Sequence, residues 1–134
     1  MLLFEFTLPG PPTSQQTRRR DRLTVWREKV AHAAAEKWAN GRPPIASPIT
    51  LTIHYFFEGQ PADVDNIVKP ILDALKGSVV ADDGLVTDLI VQRRSLHGPY
   101  LSPSTSPALA EGIASGHEFL HVVISTSPDD GSLL

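Results

Sequence analysis

The chain contains no cysteine and one methionine among its 134 residues. Disulfides, thiolate zinc sites and cysteine nucleophiles are all excluded, and the composition fits an intracellular, cytoplasmic protein. Long apolar runs are missing too. No stretch approaches the roughly 18 residues that a membrane-spanning helix needs. Met1–Leu8 is apolar but includes Glu5 and has no basic leader, so a signal peptide is not expected. Net positive charge is also absent: the formal balance is -3, which argues against nucleic-acid binding by bulk positive potential.

That sum hides two opposed regions. Residues 1–48 carry eight bases (Arg18, Arg19, Arg20, Arg22, Arg27, Lys29, Lys37 and Arg42) against four acids, a balance of +4. Residues 63–88 carry six acids against Lys69 and Lys76, a balance of -4 that two divalent cations would cancel. An acidic site beside a basic segment suits a phosphate-containing substrate, with metals at the reacting group and arginines along the rest.

The length supports one domain with a real hydrophobic core, over 1–134. Leu2–Leu8 reads as a strand ended by Pro9-Gly10-Pro11-Pro12, and Thr13–Arg22 as a solvated loop. Leu23, Trp26, Val30, Ala33, Ala34 and Trp38 recur at helical spacing over Leu23–Asn40, with Gly41 as the stop. Both tryptophans are expected in the core or in a dimer contact. Ile49–Phe57 alternates as a strand. Ile67, Ile71, Leu72 and Leu75 predict a second helix up to Gly77, which either begins or bends at Pro70. Asp82-Asp83-Gly84 is a turn by composition, Leu85–Ser95 a strand, and Phe119–Ser125 a last strand. Residues 98–116, rich in Ser, Pro, Ala and Gly, predict a long flexible connection, and 126–134 a frayed tail. The order β-α-β-α-β-β implies an α+β fold, a mixed sheet with two helices packed on it.

Chemistry concentrates in one short segment. Asp63, Asp65, Asp73, Asp82 and Asp83, with the Lys69 ammonium, interrupt an otherwise apolar stretch. An unpaired carboxylate beside a core costs several kcal/mol unless an ion or hydrogen bonds compensate it, at roughly the scale of buried-charge penalties. Asp65, Lys69 and Asp73 stand at i, i+4 and i+8, one stripe of a helix whose other side is apolar. Taken singly, each has an ordinary explanation: a solvated face with two ion pairs for the stripe, a helix cap for Asp63, a turn for Asp82-Asp83. Taken together they outline a magnesium site, because that ion prefers hard oxygens and needs only a few protein carboxylates beside water and substrate phosphate. The five histidines show no i, i+4 pair except His117/His121 on a predicted strand, so a transition-metal site is not expected.

Asp63-Val64-Asp65-Asn66-Ile67-Val68-Lys69-Pro70, then Asp73-Ala74-Leu75-Lys76-Gly77, then Asp82-Asp83 and Val86-Thr87-Asp88 resemble the signature of the RusA family of Holliday junction resolvases. The opening Phe6-Thr7-Leu8-Pro9-Gly10-Pro11-Pro12-Thr13-Ser14 is similar to that family's first strand and proline-rich turn. The resemblance implies a RusA-like fold and a homodimeric, Mg²⁺-dependent endonuclease that nicks four-way DNA junctions symmetrically in recombination and repair. Position by position, it implies catalytic and metal-binding roles for Asp63, Asp65 and Asp83, a catalytic role for Lys69, and supporting roles for Asp73 and Asp82, while Asn66 could orient a ligand or simply start the helix. The chain departs from the family just before Asp63, where Phe57–Ala62 carries no positive charge. Arg18, Arg19, Arg20 and Arg22 are the candidate DNA contacts, since guanidinium groups suit backbone phosphates. A junction-binding module without cleavage and a small metal-dependent nucleotide phosphohydrolase are the alternatives.

Overall fold

A computed structural model of the chain describes residues 1–98 and 106–128. Strand β1 (Leu2–Pro9), helix α1 (Arg20–Lys37), strand β2 (Ile49–Phe57), helix α2 (Val68–Leu75), strand β3 (Val86–Ser95), helix α3 (Pro107–Ser115) and strand β4 (Phe119–Thr126) follow in order. Two short 3-10 turns, Val64–Asn66 and Asp83–Leu85, stand before α2 and before β3. The sheet runs β1-β4-β2-β3, with β4 antiparallel to both of its neighbours and β2 parallel to β3. The fold is α+β on a mixed sheet, as the sequence predicts.

Alternation decides which residues enter the core. Ile49, Leu51, Ile53 and Tyr55 of β2, Phe4, Phe6 and Leu8 of β1, and Leu120, Val122 and Ile124 of β4 are buried. Against them lie Trp26, Val30, Ala34 and Trp38 from the α1 segment and Ile67, Ile71 and Leu75 from the α2 segment, in one cluster. Both tryptophans are core residues. Trp38 meets Phe4 edge-on at 5.1 Å and carries the Arg42 guanidinium 3.8 Å over its ring. Pro70 falls in the first turn of α2, where a missing N–H breaks no helical hydrogen bond, so it starts the helix instead of bending it.

The connection expected over 98–116 contains a third helix, and two predicted helices become three. Its ends have ordinary signals: the Ser106 hydroxyl accepts from the Leu109 N–H at 3.2 Å, Pro107 opens the first turn, and Gly116 stops it in the left-handed conformation at φ 73°. Helix α3 covers the sheet face opposite to α1 and α2, where Leu109 packs with Phe56 and Phe119 in a second, smaller cluster. Beside it a polar chain crosses three strands: Ser106 Oγ donates to Glu5, His121 Nε2 lies 3.0 Å from the same carboxylate, and His121 Nδ1 lies 3.1 Å from His54 Nδ1. Burial, with the charges of His121 and Arg94, holds the His54 imidazole below its ordinary pKa, so it sits there neutral. The expected tail from 126 begins inside the last residue of β4, and its residues 129–134 lie outside the described ones, as do 99–105 of the connection.

Gly112 inverts the usual helix rule. Alanine in a helix interior normally gains about 1 kcal/mol over glycine, but a Cβ here would fall 2.2 Å from Phe119 Cε2. Gly112→Ala should therefore destabilise the fold by about 1–3 kcal/mol, read as a lower midpoint in thermal or denaturant unfolding.

Candidate metal and nucleic-acid site

The acidic segment does not form the single helix that its spacing suggests. Asp63 precedes a 3-10 turn holding Asp65, Ile67 separates that turn from α2, and only Lys69 and Asp73 share regular helix. Their pair is formed, Lys69 Nζ to Asp73 Oδ1 at 3.1 Å, and the far oxygen of Asp73 faces Arg27 Nε of α1 at 3.6 Å. The matching pair between Asp65 and Lys69 is not among the ion pairs of the described residues. Asp73 thus holds Lys69 in place and ties α2 to α1.

Asp63 and Asp65 are exposed. Asp63 makes no side-chain capping bond, so its explanation as a helix cap does not hold. Neither side chain has a hydrogen-bond or ion-pair partner among the described residues. Asp82 and Asp83 divide differently. Asp82 accepts from the Gly84 N–H at 3.0 Å and caps the second 3-10 turn, whereas Asp83 makes only a long approach, 3.9 Å, to Lys76 Nζ. Lys76 also stands 3.5 Å from Asp82, so this pair of acids is partly neutralised by a lysine whose pairing the sequence does not indicate.

The basic side of the site is attached to the acidic side. The Gln15 N–H donates to the Asn66 carbonyl at 2.8 Å, anchoring the loop before α1 against the turn that carries Asp65. The Asn66 backbone thus joins the two segments. Arg18, Arg19, Arg20 and Arg22 are all exposed, but only Arg18 and Arg19 belong to the loop; Arg20 and Arg22 fall in the first turn of α1. Cations there oppose the helix dipole at a cost of a few tenths of a kcal/mol, of the order seen for exposed dipole contacts. Arg19 is paired with Asp21 at 2.9 Å, which pulls the Asp21 carboxyl below its ordinary range, and Arg20 donates to the Gln15 carbonyl. Arg18 and Arg22 have no side-chain partner among the described residues and are the ones available to phosphate.

A further cation comes from β3. Arg93 Nη1 donates to the Ala62 carbonyl at 3.1 Å, and its guanidinium lies 5.9 Å from the Phe57 ring centroid. Positive charge missing from Phe57–Ala62 in sequence is thus brought beside Asp63 in space. Only tertiary structure places it there, because 31 positions separate the two residues.

As donors, exposed carboxylates without a competing partner suit a hard divalent ion, and Asp63 and Asp65 meet that description. Asp83 stands apart from them. From Asp65 to Lys76 the chain rises along the 3-10 turn and α2 by roughly 17 Å, and Asp83 lies at the Lys76 end. Among the described residues no group of three or more His, Asp or Glu side chains is gathered closely enough to hold a metal.

No helix among the described residues is long and apolar enough to cross a membrane. The family model described as endodeoxyribonuclease RusA matches residues 9–101, more than half of the chain. The comparison with curated proteins finds no match.

The different duties of Asp82 and Asp83 predict different stabilities. Asp82→Ala should lose about 1 kcal/mol with the cap, while Asp83→Asn should stay within about 0.5 kcal/mol of the parent, as surface changes do. Urea unfolding of the two variants checks this, and equal losses would remove the distinction.

Proposed function

The chain belongs to the RusA endodeoxyribonuclease family, and we propose that it is a homodimeric, magnesium-dependent enzyme that resolves four-way DNA junctions by paired phosphodiester hydrolysis in recombination and repair. The observation that carries the proposal is the joining of Asp63 and Asp65, exposed and unpartnered, to the arginine-bearing loop through the Gln15–Asn66 bond. A phosphodiester held by Arg18 and Arg22 would lie against the carboxylates.

Asp63 and Asp65 would supply carboxylates to the metal, which when bound would lower the pKa of a coordinated water and screen the phosphate charge; Asp83, the third ligand that the family resemblance implies, stands apart from them within the chain. The protein side chains supply the rest. Lys69, kept in position by Asp73, would supply the ammonium that stabilises charge developing on the phosphoryl oxygens. Arg93, fixed to the Ala62 carbonyl, adds positive charge next to Asp63 in the chain. A two-fold dimer would present two sites to two strands of a four-way junction, which paired cutting requires.

Nicking of a synthetic mobile junction with and without Mg²⁺ tests this directly. Asp65→Asn should cut at least about 100-fold more slowly, as loss of a metal ligand typically does, and should still retard the junction in a gel. Undiminished cutting would refute the ligand assignment, and junction binding by the parent without any cutting would favour a module that only binds.

Arg18→Ala and Arg22→Ala should each weaken binding at every junction sequence alike. Each should also flatten the dependence of log affinity on log salt by about 1, as expected for one lost phosphate contact. Fluorescence anisotropy across a salt series measures both effects.

A further inference from the structure

Helices α1 and α3 lie on opposite faces of the sheet, and beside its β1 edge they border a cavity of about 560 Å³. That volume suits a small organic ligand. The lining comes from three places: the end of β1 with the turn at Pro9–Pro11, the Trp26–Glu36 part of α1, and α3 with the turn that follows it. None of the aspartates, Lys69 or the arginines of the proposed nuclease site lines it. Helix α3 also lies beyond residues 9–101, which the family model matches. The cavity is therefore separate from the metal and DNA site.

Two features define what would fit. The first is a donor with nothing to bond. Trp26 is 3% exposed, and its indole Nε1 is buried without a hydrogen-bond partner. Trp38, by contrast, donates its Nε1–H to the Arg42 carbonyl at 3.2 Å. A buried indole N–H normally finds an acceptor, and Trp26 borders the cavity together with Pro9, Pro11 and Phe119. An occupant with an apolar body and a carbonyl oxygen would satisfy both the donor and the walls.

The second feature is the sign of the rim. With the histidines neutral, Glu36, Glu111 and Glu118 stand against a single cation, Lys29. Glu36 meets His32 at 3.0 Å, and Glu118 accepts from the Tyr55 hydroxyl. The Glu111 carboxylate, on α3, has no partner among the described residues. Such a rim repels phosphates and other anions and attracts a positive charge.

We propose that this cavity binds a small, apolar organic cation that carries a carbonyl group, with the Trp26 N–H on the carbonyl oxygen and Glu111 facing the positive charge. Its occupant is thus opposite in sign to DNA, and its occupancy does not depend on whether the protein cuts a junction.

Three bicyclic probes separate the requirements. N-methylquinolinium carboxamide has both the charge and the carbonyl, N-methylquinolinium keeps the charge alone, and quinoline carboxylate reverses it. Proton–nitrogen correlation spectra of the isotope-labelled chain at about pH 8, where histidine is neutral, show two indole N–H signals, which Trp38→Phe assigns. The carboxamide cation should move the Trp26 signal downfield and leave that of Trp38, already bonded to Arg42, in place. Removing the carbonyl should weaken binding by about two- to tenfold, the range for one hydrogen bond. Glu111→Gln, an exposed change that spares the fold, should weaken the cation by about two- to fivefold, as loss of an exposed ion pair does. An unmoved Trp26 signal at millimolar carboxamide cation would overturn the proposal. Tighter binding of the carboxylate than of the cation, or equal binding of the cation to Glu111→Gln and the parent, would overturn it as well.

Discussion

Parallel neighbours cannot be joined by a tight turn: the chain leaving the end of one strand must return to the level of its beginning before it can enter the next. Here β2 and β3 are such neighbours, and the return is made by the first 3-10 turn and α2. Ile67, Ile71 and Leu75 are buried because this return lies on the core face of the sheet. The acids are left at the two ends of the crossover, Asp63 and Asp65 where it departs and Asp83 where it arrives. One feature of topology thus fixes both the apolar spacing of the segment and the separation of its carboxylates.

Several charges stand where local energetics would not put them. Arg20 and Arg22 occupy the positive end of α1, and Asp63 and Asp65 are neither paired nor used as caps. Conflicts of this kind between a local rule and the fold tend to mark functional positions. The two sets oppose each other in sign and are joined by the backbone bond from Gln15 to Asn66. What each lacks, the substrate and its metal would supply: anionic phosphate for the arginines and a cation for the aspartates. Asp73 and Asp82 are spent instead on holding Lys69 and closing a turn.

Elements governed by their own residues were legible in the sequence. Strand β2 has the predicted bounds because its alternation holds from Ile49 to Tyr55 and its last two residues are both phenylalanines. Helix α1 begins at Arg20, three positions before its first apolar residue, because a polar opening turn leaves no mark on apolar periodicity. Helix α3 was hidden by a composition of Ser, Pro, Ala and Gly that usually means loop, although Ser106-Pro107 and Gly116 are proper start and stop signals. In the site, the identity of the acids was readable but their arrangement was not. The i, i+4, i+8 stripe assumed continuous helix, and the change of geometry at Ile67 takes Asp65 off it. Arg93 and Lys76 reach the site through tertiary contacts, which periodicity cannot encode.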